Sequence, residues 1–527
     1  MAKAGKPTRR EVKRSPRERL TSTERDTSEH LSSVIKSARD IMRKDKGLNG
    51  DLDRLPMLTW VMFLRFLDDV ERNHEVECEI EGRTYVPIIE PPYRWRDWAG
   101  NVEGPRGDDL IAFINQEEAV LPNRSRGPGL FAYLRSLRGT EEHDRRDVIA
   151  TVFRETYNRM QSGYILRELL DVVNKLDFSS SKQIHAMGRV YEIMLKELRD
   201  AAGDSGEFYT PRPVIELIVE VIKPKLGEKI LDPACGTGGF LVESFEYLKK
   251  QCEKTDDIIA LRETLHGVEA KSLPFLLCQM NMLLHGVDSP SVVLGNSLAN
   301  PLREIGDRDR VDIIMTNPPF GGEEERAILG NFPADMQTAE TAYLFLQLVM
   351  RKLRRSKADQ SGGRCAIIVP DGVLFGSGVG SRVRKELLES FNLHTIIRLP
   401  NGVFAPYTGI RTNILFFEHP GPTKTIWYYE HTLPEGRNSY SKTNMIRFQE
   451  FESLLRWWSD RSEQRNAWVV AVDHLSETDY NLDLKSPSPE PVDSLPSPAE
   501  VIQELVQAID SIQHGVQELK RLIDERE

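Results

Sequence analysis

Short apolar segments alternate with helix-like segments between residues 229 and 417, and this alternation restricts the possible folds more than any other feature of the chain. The apolar segments cover residues 229–231, 265–269, 291–297, 311–316, 364–369, 395–399 and 412–417. Residues 342–353 are typical of the segments between them, because their apolar residues recur at helical spacing. Such alternation predicts an α/β fold built on a doubly wound, mostly parallel sheet. Ligands in such sheets bind at the carboxyl ends of the strands.

A glycine-rich loop follows the first apolar segment. It runs from Asp232 to Gly239 as Asp-Pro-Ala-Cys-Gly-Thr-Gly-Gly, and residues 240–248 continue it with helical spacing. Glycines lack a Cβ atom, so the backbone can turn sharply there and a ligand can lie against it. The spacing differs from the Gly-x-Gly-x-x-Gly pattern of dinucleotide sites and from the P-loop pattern. It therefore disfavours NAD and ATP as the ligand.

A second signature ends the fourth apolar segment. Thr316 is followed by Asn317, Pro318, Pro319 and Phe320, which place an amide, two rigid rings and an aromatic ring at a predicted strand end. The amide oxygen and a main-chain carbonyl can accept the hydrogens of a planar amino group, and the aromatic face can stack on its ring. Together the two signatures predict methyl transfer onto a planar amino group, with no need for a metal, a covalent intermediate or a catalytic cysteine.

Each signature also has a purely structural interpretation. An Asn-Pro-Pro sequence suits a plain turn, and a glycine-rich loop alone is a weak signal of function. Their occurrence in one alternating segment, with an acidic strand end at Glu269 between them, favours the functional interpretation. Two roles remain open for Glu269, as a ligand of a ribose or as a neighbour of a helix N-cap.

These motifs resemble those of S-adenosylmethionine-dependent N6-adenine DNA methyltransferases. The sequence Gly-Glu-Phe-Tyr-Thr-Pro-Arg-Pro-Val at residues 206–214 narrows the resemblance to the modification subunits of type I restriction-modification systems, which the chain also resembles in length and flanking segments. The resemblance covers residues 31–417 and the C-terminal helix. It implies a site-specific enzyme that transfers a methyl group from S-adenosylmethionine to adenine N6 in DNA and so protects host DNA from a companion restriction subunit.

The resemblance also implies the roles of individual residues. Glu269 would accept the ribose hydroxyl protons, Asp232 would receive the methionine ammonium, and the backbone amides of residues 237–239 would hold the methionine carboxylate. Asn296 stands where the family often has Asp, and its amide can still pair with the edge of the cofactor's adenine. The implied cofactor-binding residues are Glu207, Phe208, Tyr209, Thr210, Pro211, Arg212, Asp232, Ala234, Gly236, Thr237, Gly238, Gly239, Glu269 and Asn296. The implied catalytic residues are Asn317, Pro318, Pro319 and Phe320.

The chemistry of adenine explains the catalytic assignment. The lone pair of its exocyclic nitrogen is delocalised into the ring, so the nitrogen has to be held in line with the methyl group. The side-chain oxygen of Asn317 and the carbonyl of Pro318 can each accept one N6 hydrogen. Phe320 can stack on the base, which must leave the duplex to be reached. Phe404 and Tyr407 follow a predicted strand and are further candidates for contact with an extruded base.

Charge sets a limit on the partners. The formal net charge is −11, although phosphate neutralisation supplies much of the affinity for DNA. Either a local basic face or another chain must therefore provide the main grip on DNA. The first 25 residues carry nine Lys or Arg residues against three Glu residues, which indicates a disordered basic arm that either contacts DNA or is simply solvated.

The 527-residue length predicts a large enzyme of two or three domains, which we expect to be cytoplasmic. No apolar stretch approaches the roughly 18 residues of a membrane span, and the first residues lack the apolar stretch of a secretion signal. The five cysteines form no Cys-x-x-Cys pair and no cluster with histidine, so neither disulfides nor a metal site are expected. Cys235 is expected to line the glycine-rich loop and not to react.

Composition divides the chain into six parts. Within the mainly helical N-terminal domain, which the resemblance implies helps to enclose DNA, residues 78–129 are rich in Pro, Arg, Gly and Trp and are predicted to be irregular. The aromatic residues of 91–98 are expected to pack, the alternative being to stack on nucleic acid. The parts are a basic arm at 1–28, the N-terminal domain at 29–200, the methyltransferase domain at 201–420, an extension at 421–485, a linker at 486–497 and a partner-binding helix at 498–527.

The C-terminal helix carries an apolar seam suited to packing against another helix. The seam consists of Ile502, Leu505, Ile509, Ile512, Val516, Leu519 and Ile523, at alternating spacings of three and four. It packs either on a partner or on the chain's own catalytic domain. The resemblance implies a specificity subunit as the partner, which reads the DNA and also contacts the N-terminal domain. This subunit would join two copies of the modification subunit and act together with a restriction subunit.

Two other functions fit parts of the sequence. One is a protein or RNA methyltransferase, since an Asn-Pro-Pro-aromatic site can equally position a glutamine amide. The large helical N-terminal region favours a bulky DNA substrate instead. The other is a catalytically silent scaffold that binds the cofactor only as a structural ligand, and the intact residues from Asn317 to Phe320 argue against it.

Overall fold

The computed structural model describes residues 22–139, 144–178, 191, 210–287, 290–357, 361–405, 408–434, 436–441 and 444–487. Some predictions concern residues outside these ranges. They are the site residues Glu207, Phe208 and Tyr209, the base-flipping candidate Tyr407, the arm up to residue 21, the linker from 488 and the C-terminal helix at 498–527. These assignments therefore stay predictions.

The N-terminal region is mainly helical, as predicted. Its helices are α1 (Ser22–Met42), α2 (Asp51–Ile80), α3 (Trp95–Trp98), α4 (Gly107–Asn115), α5 (Leu130–Ser136), α6 (Arg145–Arg154) and α7 (Gly163–Val173), and its strands β1 (Glu118–Val120) and β2 (Arg126–Pro128) pair antiparallel. Helix α2 begins with Asp51 and Asp53, whose negative charges favour a helix N-terminus. The apolar residues that follow, from Leu55 to Leu67, are mostly buried.

The segment predicted to be irregular contains α3, α4, β1 and β2, so that prediction was wrong for these elements. Trp95 and Trp98 are buried, and Trp95 Nε1 donates to Asn174 Oδ1 at the end of α7, at 2.7 Å. Between them, Arg96 forms a 2.9 Å salt bridge with Asp68 of α2. These aromatic side chains therefore pack against the neighbouring helices, as expected.

Nine strands of the described chain form one further sheet. They are β3 (Ile230–Asp232), β4 (Leu265–Glu269), β5 (Ser291–Leu294), β6 (Ile313–Thr316), β7 (Arg364–Pro370), β8 (Asn392–Arg398), β9 (Thr412–Glu418), β10 (Thr425–Glu430) and β11 (Ala467–Ala471). Their order is β11-β10-β8-β9-β7-β6-β3-β4-β5. Five of the eight neighbouring pairs are parallel, and the antiparallel pairs all involve β9 or β11. The predicted mostly parallel sheet is confirmed.

Helices cover both faces of this sheet. They are α8 (Arg212–Ile222), α9 (Gly239–Lys249), α10 (Thr255–Arg262), α11 (Ser272–Leu284), α12 (Arg326–Leu329), α13 (Thr341–Lys352), α14 (Gly372–Phe375), α15 (Val379–Ser390) and α16 (Glu452–Ser459). Ile230 and Ile313 share a core with α8, α9 and α11. Leu231 and Ile314, one residue further along each strand, share a core with α13 and α15. The two faces differ because successive strand residues point to opposite sides, and the fold is therefore doubly wound.

The sheet continues past the predicted boundary at residue 420. β10 pairs with β8 and β11 pairs with β10, so both strands of the region predicted to be an extension belong to the same sheet. Buried Arg384 of α15 then fixes the segment after β11, because its guanidinium donates to the carbonyls of Asp479 and Tyr480. The described residues after 420 thus belong to the same domain as the strands before them.

The N-terminal region joins the sheet domain through helix packing. Helix α2 packs against α11, and one continuous apolar core contains Trp60 of α2 and Phe275 of α11. The N-terminal helices therefore lie against the face of the sheet that α11 covers. As a separate point, none of the described helices is both long enough and apolar enough to span a lipid bilayer.

Candidate functional site

Polar side chains from four strands meet at one edge of the sheet. β6, β3, β4 and β5 are parallel neighbours, so their carboxyl ends lie together. The chain leaves β3 for β4 on one side and later returns to β6 on the other, and such a change of direction opens a crevice for ligands. A pocket lies there, and the predicted site residues that line it are Thr210, Arg212, Asp232, Ala234, Gly236, Thr237, Gly239, Glu269, Asn296, Asn317 and Pro319.

Four other predicted residues, Pro211, Gly238, Pro318 and Phe320, lie beside the pocket and are not part of its lining. Gly238 allows the tight turn of the loop where it packs against Cys278 of α11. Its φ of 80° is left-handed, and a Cβ atom there would lie 2.7 Å from Cys278 Sγ. Gly238 is also the N-cap of α9, so the first amides of that helix lack partners within the helix and attract negative charge. The loop is therefore suited to an anionic group.

Glu269, at the end of β4, organises the neighbouring backbone. Its Oε2 accepts the amide of Gly236 at 2.9 Å, and its Oε1 accepts the amide of Lys271, the N-cap residue of α11, at 2.8 Å. Both roles considered for Glu269 are compatible, because a carboxylate offers about four acceptor positions, more than the neighbouring backbone amides occupy. Burial raises the pKa of Glu269, although these hydrogen bonds act in the opposite direction.

Two further side chains brace the pocket and were not predicted from the sequence. Asn281 Nδ2 donates to the carbonyl of Thr237 at 2.9 Å, and Ser297 Oγ donates to the carbonyl of Pro233 at 2.6 Å. Asn281 is a buried polar residue in a helix of mostly apolar residues. That contrast is a usable sequence signal, since buried polar groups need partners. Ser297 carries no comparable signal.

Asp232 is a buried acid at the carboxyl end of β3. The residue is only 2% exposed, and its Oδ1 accepts the amide of Ala234 at 3.1 Å. Burial raises its pKa to about 7, and the charge of Glu269 acts in the same direction, whereas the hydrogen bond from the Ala234 amide opposes the shift. Among the described residues, none that shifts this pKa is a cation. A positively charged ligand group would therefore stabilise the ionised carboxylate.

Asn317, just after β6, presents an acceptor. Its Nδ2 donates to Thr210 Oγ1 at 3.0 Å, and this bond fixes the orientation of the amide. Its Oδ1 is buried and has no hydrogen-bond partner among the residues that the structure describes. A buried oxygen without a partner is unfavourable, so this position is suited to a ligand that donates a hydrogen bond.

The aromatic part of the site pairs a predicted catalytic residue with a predicted base-flipping candidate. The ring centroids of Phe320 and Phe404 lie 5.3 Å apart, and the rings are inclined by 80°. An edge-to-face contact of this kind favours one orientation of both rings. Phe404 is only 3% exposed, whereas Phe320 is partly buried. Phe404 therefore supports Phe320, which is the ring more open to a ligand.

Arg212 and Cys235 line the pocket, and each contacts a neighbouring side chain of the protein. Arg212 forms a 2.7 Å salt bridge with Glu243 of α9. Cys235 Sγ lies 4.0 Å from Cys278 Sγ, and this contact, together with burial, raises the pKa of the Cys235 thiol well above its usual value. A thiol in this state is a poor nucleophile. In the described ranges, no group of three or more His, Cys, Asp and Glu residues could hold a metal ion.

Known protein families match nearly all of the chain that the structure describes. Residues 182–491 match the family described as N-6 DNA Methylase, and residues 31–173 match the HsdM N-terminal domain. The chain is 46% identical over 467 residues to the type I restriction enzyme EcoEI methylase subunit of Escherichia coli. That alignment covers 87% of this chain and 90% of the relative.

Solved structures are also similar over most of the chain. One, assigned as a modification subunit of a type I restriction enzyme from Vibrio vulnificus YJ016, is 58% identical with a TM-score of 0.81, and the match covers 88% of this chain and 97% of that chain. Another comes from work on complex assembly and conformational transition of the type I restriction-modification system. It is 38% identical with a TM-score of 0.76, and the match covers 95% of this chain and 99% of that chain.

Proposed function

We propose that the pocket between β3 and β6 is the active site of an adenine N6 methyltransferase. The chain belongs to the N-6 DNA methylase family, as a type I modification subunit that methylates adenine N6. The side formed by β3, β4 and β5 binds S-adenosylmethionine, and the side that follows β6 receives an adenine extruded from DNA. The observation that carries this proposal is the buried Oδ1 of Asn317, which lacks a partner in the described structure and is oriented by Thr210.

S-adenosylmethionine fits the charges of the pocket. Asp232 would bind its ammonium group, because the carboxylate is buried and no cation among the described residues shifts its pKa. The backbone amides of residues 237–239, at the start of α9, would hold its carboxylate. The free lone pairs of Glu269 would accept the ribose hydroxyls. When bound, the cofactor supplies an electrophilic methyl group on a sulfonium. The remaining proposed cofactor residues are Glu207, Phe208, Tyr209, Thr210, Pro211, Arg212, Ala234, Gly236 and Asn296.

The residues after β6 would hold the target nitrogen. Asn317 Oδ1 and the Pro318 carbonyl would each accept one N6 hydrogen, which favours a pyramidal nitrogen and directs its lone pair. Pro318 and Pro319 restrict the backbone at this point, so the two acceptors keep their positions. We therefore expect these residues to raise the rate by orienting the target nitrogen toward the methyl group.

Phe320 would stack on the extruded base. A target nitrogen inside the duplex is out of reach, and the unpaired base needs a surface that replaces its stacking. The edge-to-face contact with Phe404 holds the Phe320 ring in place. Tyr407 remains a candidate for a further contact, outside the described residues. The base would then meet one aromatic face and two hydrogen-bond acceptors.

Partner subunits would supply sequence recognition, which needs contacts to base edges. We propose a specificity subunit that reads the DNA and contacts the helix at 498–527 and the N-terminal domain. The net charge of −11 supports a grip on DNA that is shared with another chain. Two copies of this chain per specificity subunit, together with a restriction subunit, would complete the complex.

Long-read detection of N6-methyladenine tests this function. DNA would be isolated from cells that express the chain with or without its specificity subunit. We expect one bipartite motif to be methylated only when both chains are present, and Asn317→Ala to lower the methylation rate about 100-fold or more. The matched control is Asn392→Ala, because Asn392 begins β8 at the opposite edge of the sheet, and it should methylate at the normal rate.

Methylation at the normal rate by Asn317→Ala would contradict the role given to Asn317. A complete absence of methylated motifs, with both chains expressed, would favour a protein or RNA substrate, or a silent scaffold. Single-turnover transfer to DNA, to RNA and to a release-factor-like protein would then separate these alternatives.

A further inference from the structure

We infer that Glu324 supplies the carboxylate that accepts the exocyclic amino group of the cofactor's adenine, with Asn296 as its positioning residue. This inference rests on the proposed cofactor site. Glu324 follows Phe320 by four residues, was not predicted as a site residue, and lines the pocket. Its Oε2 accepts a hydrogen bond from Asn296 Nδ2 at 3.4 Å. The contact joins the loop after β6 to the end of β5.

The order of the strands brings the adenine toward Glu324. In the proposed site the methionine lies against the loop after β3, and the ribose lies at Glu269, at the end of β4. β5 is the next strand and the edge of the sheet. The base attached to the ribose therefore extends toward the end of β5, where Gly295, Asn296 and Ser297 line the pocket. Glu324 brings a negative charge to this end, which Asn296 lacks.

The hydrogen bonds of Asn296 separate the roles of the two side chains. Asn296 Oδ1 accepts the amide of Leu298 at 2.9 Å, while its Nδ2 donates to Glu324. Both ends of the amide are thus engaged with the protein. Glu324 Oε1 has no hydrogen-bond partner in the described part of the chain and is available to a ligand. A carboxylate also accepts an amino N–H more strongly than a neutral amide does.

The loop that carries Glu324 is anchored to the start of α13. The amide of Glu324 donates to the carbonyl of Ala339 at 3.1 Å, and Thr341 Oγ1 donates to the carbonyl of Gly322 at 3.0 Å. These contacts fix the backbone on which Glu324 stands. A carboxylate held in this way selects for an amino group, because the 6-oxo group of hypoxanthine accepts hydrogen bonds and would face a negative charge.

Calorimetric titration of the purified full chain with S-adenosylmethionine, without DNA, tests the inference. Glu324→Gln should weaken binding about tenfold and reduce the preference for S-adenosylmethionine over its hypoxanthine analogue. Glu323→Gln is the matched control, because Glu323 is the exposed neighbour with the same charge, and it should bind normally. The exchange variant Asn296→Asp/Glu324→Gln moves the carboxylate across the 3.4 Å contact and should bind within about threefold of the unmodified chain.

Normal affinity in Glu324→Gln would overturn the inference. Normal affinity combined with a raised KM for DNA would overturn it in favour of a contact with the target adenine. Failure of the unmodified chain to bind S-adenosylmethionine would instead overturn the proposed cofactor site. Equal melting temperatures of Glu324→Gln and the unmodified chain, without ligand, would show that the lower affinity comes from a lost contact with the ligand and not from a less stable fold. If Glu324→Gln does not fold, equal affinity of the unmodified chain for S-adenosylmethionine and for its hypoxanthine analogue overturns the inference.

Discussion

The two halves of the pocket are built in different ways. In the half formed by β3, β4 and β5, side chains hold the backbone of neighbouring loops, as Glu269 holds the amide of Gly236. In the half that follows β6, side chains hold each other, as Thr210 holds Asn317, 107 residues later in the sequence. The first half is therefore shaped by side chains that bind the backbone of loops at neighbouring strand ends, whereas the second depends on a contact between two side chains. Substitutions of Asp232 should accordingly change cofactor affinity and those of Asn317 turnover. Glu324 follows β6 but contacts Asn296 of the first half, so its substitution should change cofactor affinity.

Asp232→Asn should give the largest effect on cofactor binding. Without the carboxylate, the ammonium of S-adenosylmethionine loses its partner, so calorimetry should show affinity at least about 100-fold lower. The free protein should become more stable at pH 8, because the folded state no longer has to ionise a buried carboxyl whose pKa burial raises to about 7. The expected gain in the free energy of unfolding is on the order of 4 kcal/mol, since each pKa unit corresponds to about 1.4 kcal/mol.

The stability of the unmodified chain shows why the gain has this sign. In the unfolded chain Asp232 has its ordinary pKa of 3.8, whereas the folded chain keeps it protonated up to about pH 7. The raised pKa favours folding below 3.8, and this advantage is lost as the pH rises through 7. Asp473→Asn, at an exposed turn position after β11, is the matched control and should change neither affinity nor stability. An Asp232→Asn protein that is less stable at pH 8 would contradict this account.

Cofactor affinity should also depend on pH through Asp232. A cation binds the ionised carboxylate, so affinity should fall as the pH drops below 7, by a limiting factor of about ten per pH unit. Between about pH 5.5 and 7 the amino group of the ligand stays protonated, since α-amino groups have a pKa of about 7.7–8.0. Calorimetry in two buffers of different ionisation enthalpy should therefore detect proton release on binding. A slope that persists in Asp232→Asn would assign the effect to another acid, such as Glu269.

Local sequence was sufficient to predict the strands from β3 to β9 and both loops. β4 has its predicted bounds, and β6 and β7 differ from theirs by two residues or fewer. Buried parallel strands leave short apolar segments between turns, so their sequence pattern is visible without the fold. The predicted residues Asp232, Glu269 and Asn317 meet in one pocket because the carboxyl ends of parallel strands lie at one edge.

The missed features depend on contacts between distant segments. Glu324, Asn281 and Ser297 bind partners that lie 28, 44 and 64 residues away. Local periodicity carries no information about such pairs. The same reason explains the misplaced boundary at 420. β10 follows β9 in the sequence but pairs with β8, which lies between β9 and β10 in the sheet. Side-chain networks and edge strands are therefore where sequence reasoning about this fold is weakest.

Thr210 offers the finest test of the difference between the two halves, with the smallest expected effect. It was predicted to bind the cofactor and lines the pocket, yet its Oγ1 accepts the hydrogen bond that orients Asn317. Although Thr210 is among the proposed cofactor residues, its hydroxyl is engaged with Asn317. Loss of this one bond in Thr210→Val should therefore lower kcat about fivefold and change the Kd for S-adenosylmethionine by less than about twofold, because only the Asn317 amide becomes free to turn. Thr210→Ser keeps the hydroxyl and should keep the rate. A rise in the cofactor Kd that matches the fall in kcat would place Thr210 in the cofactor half, and the two halves would then act as one unit.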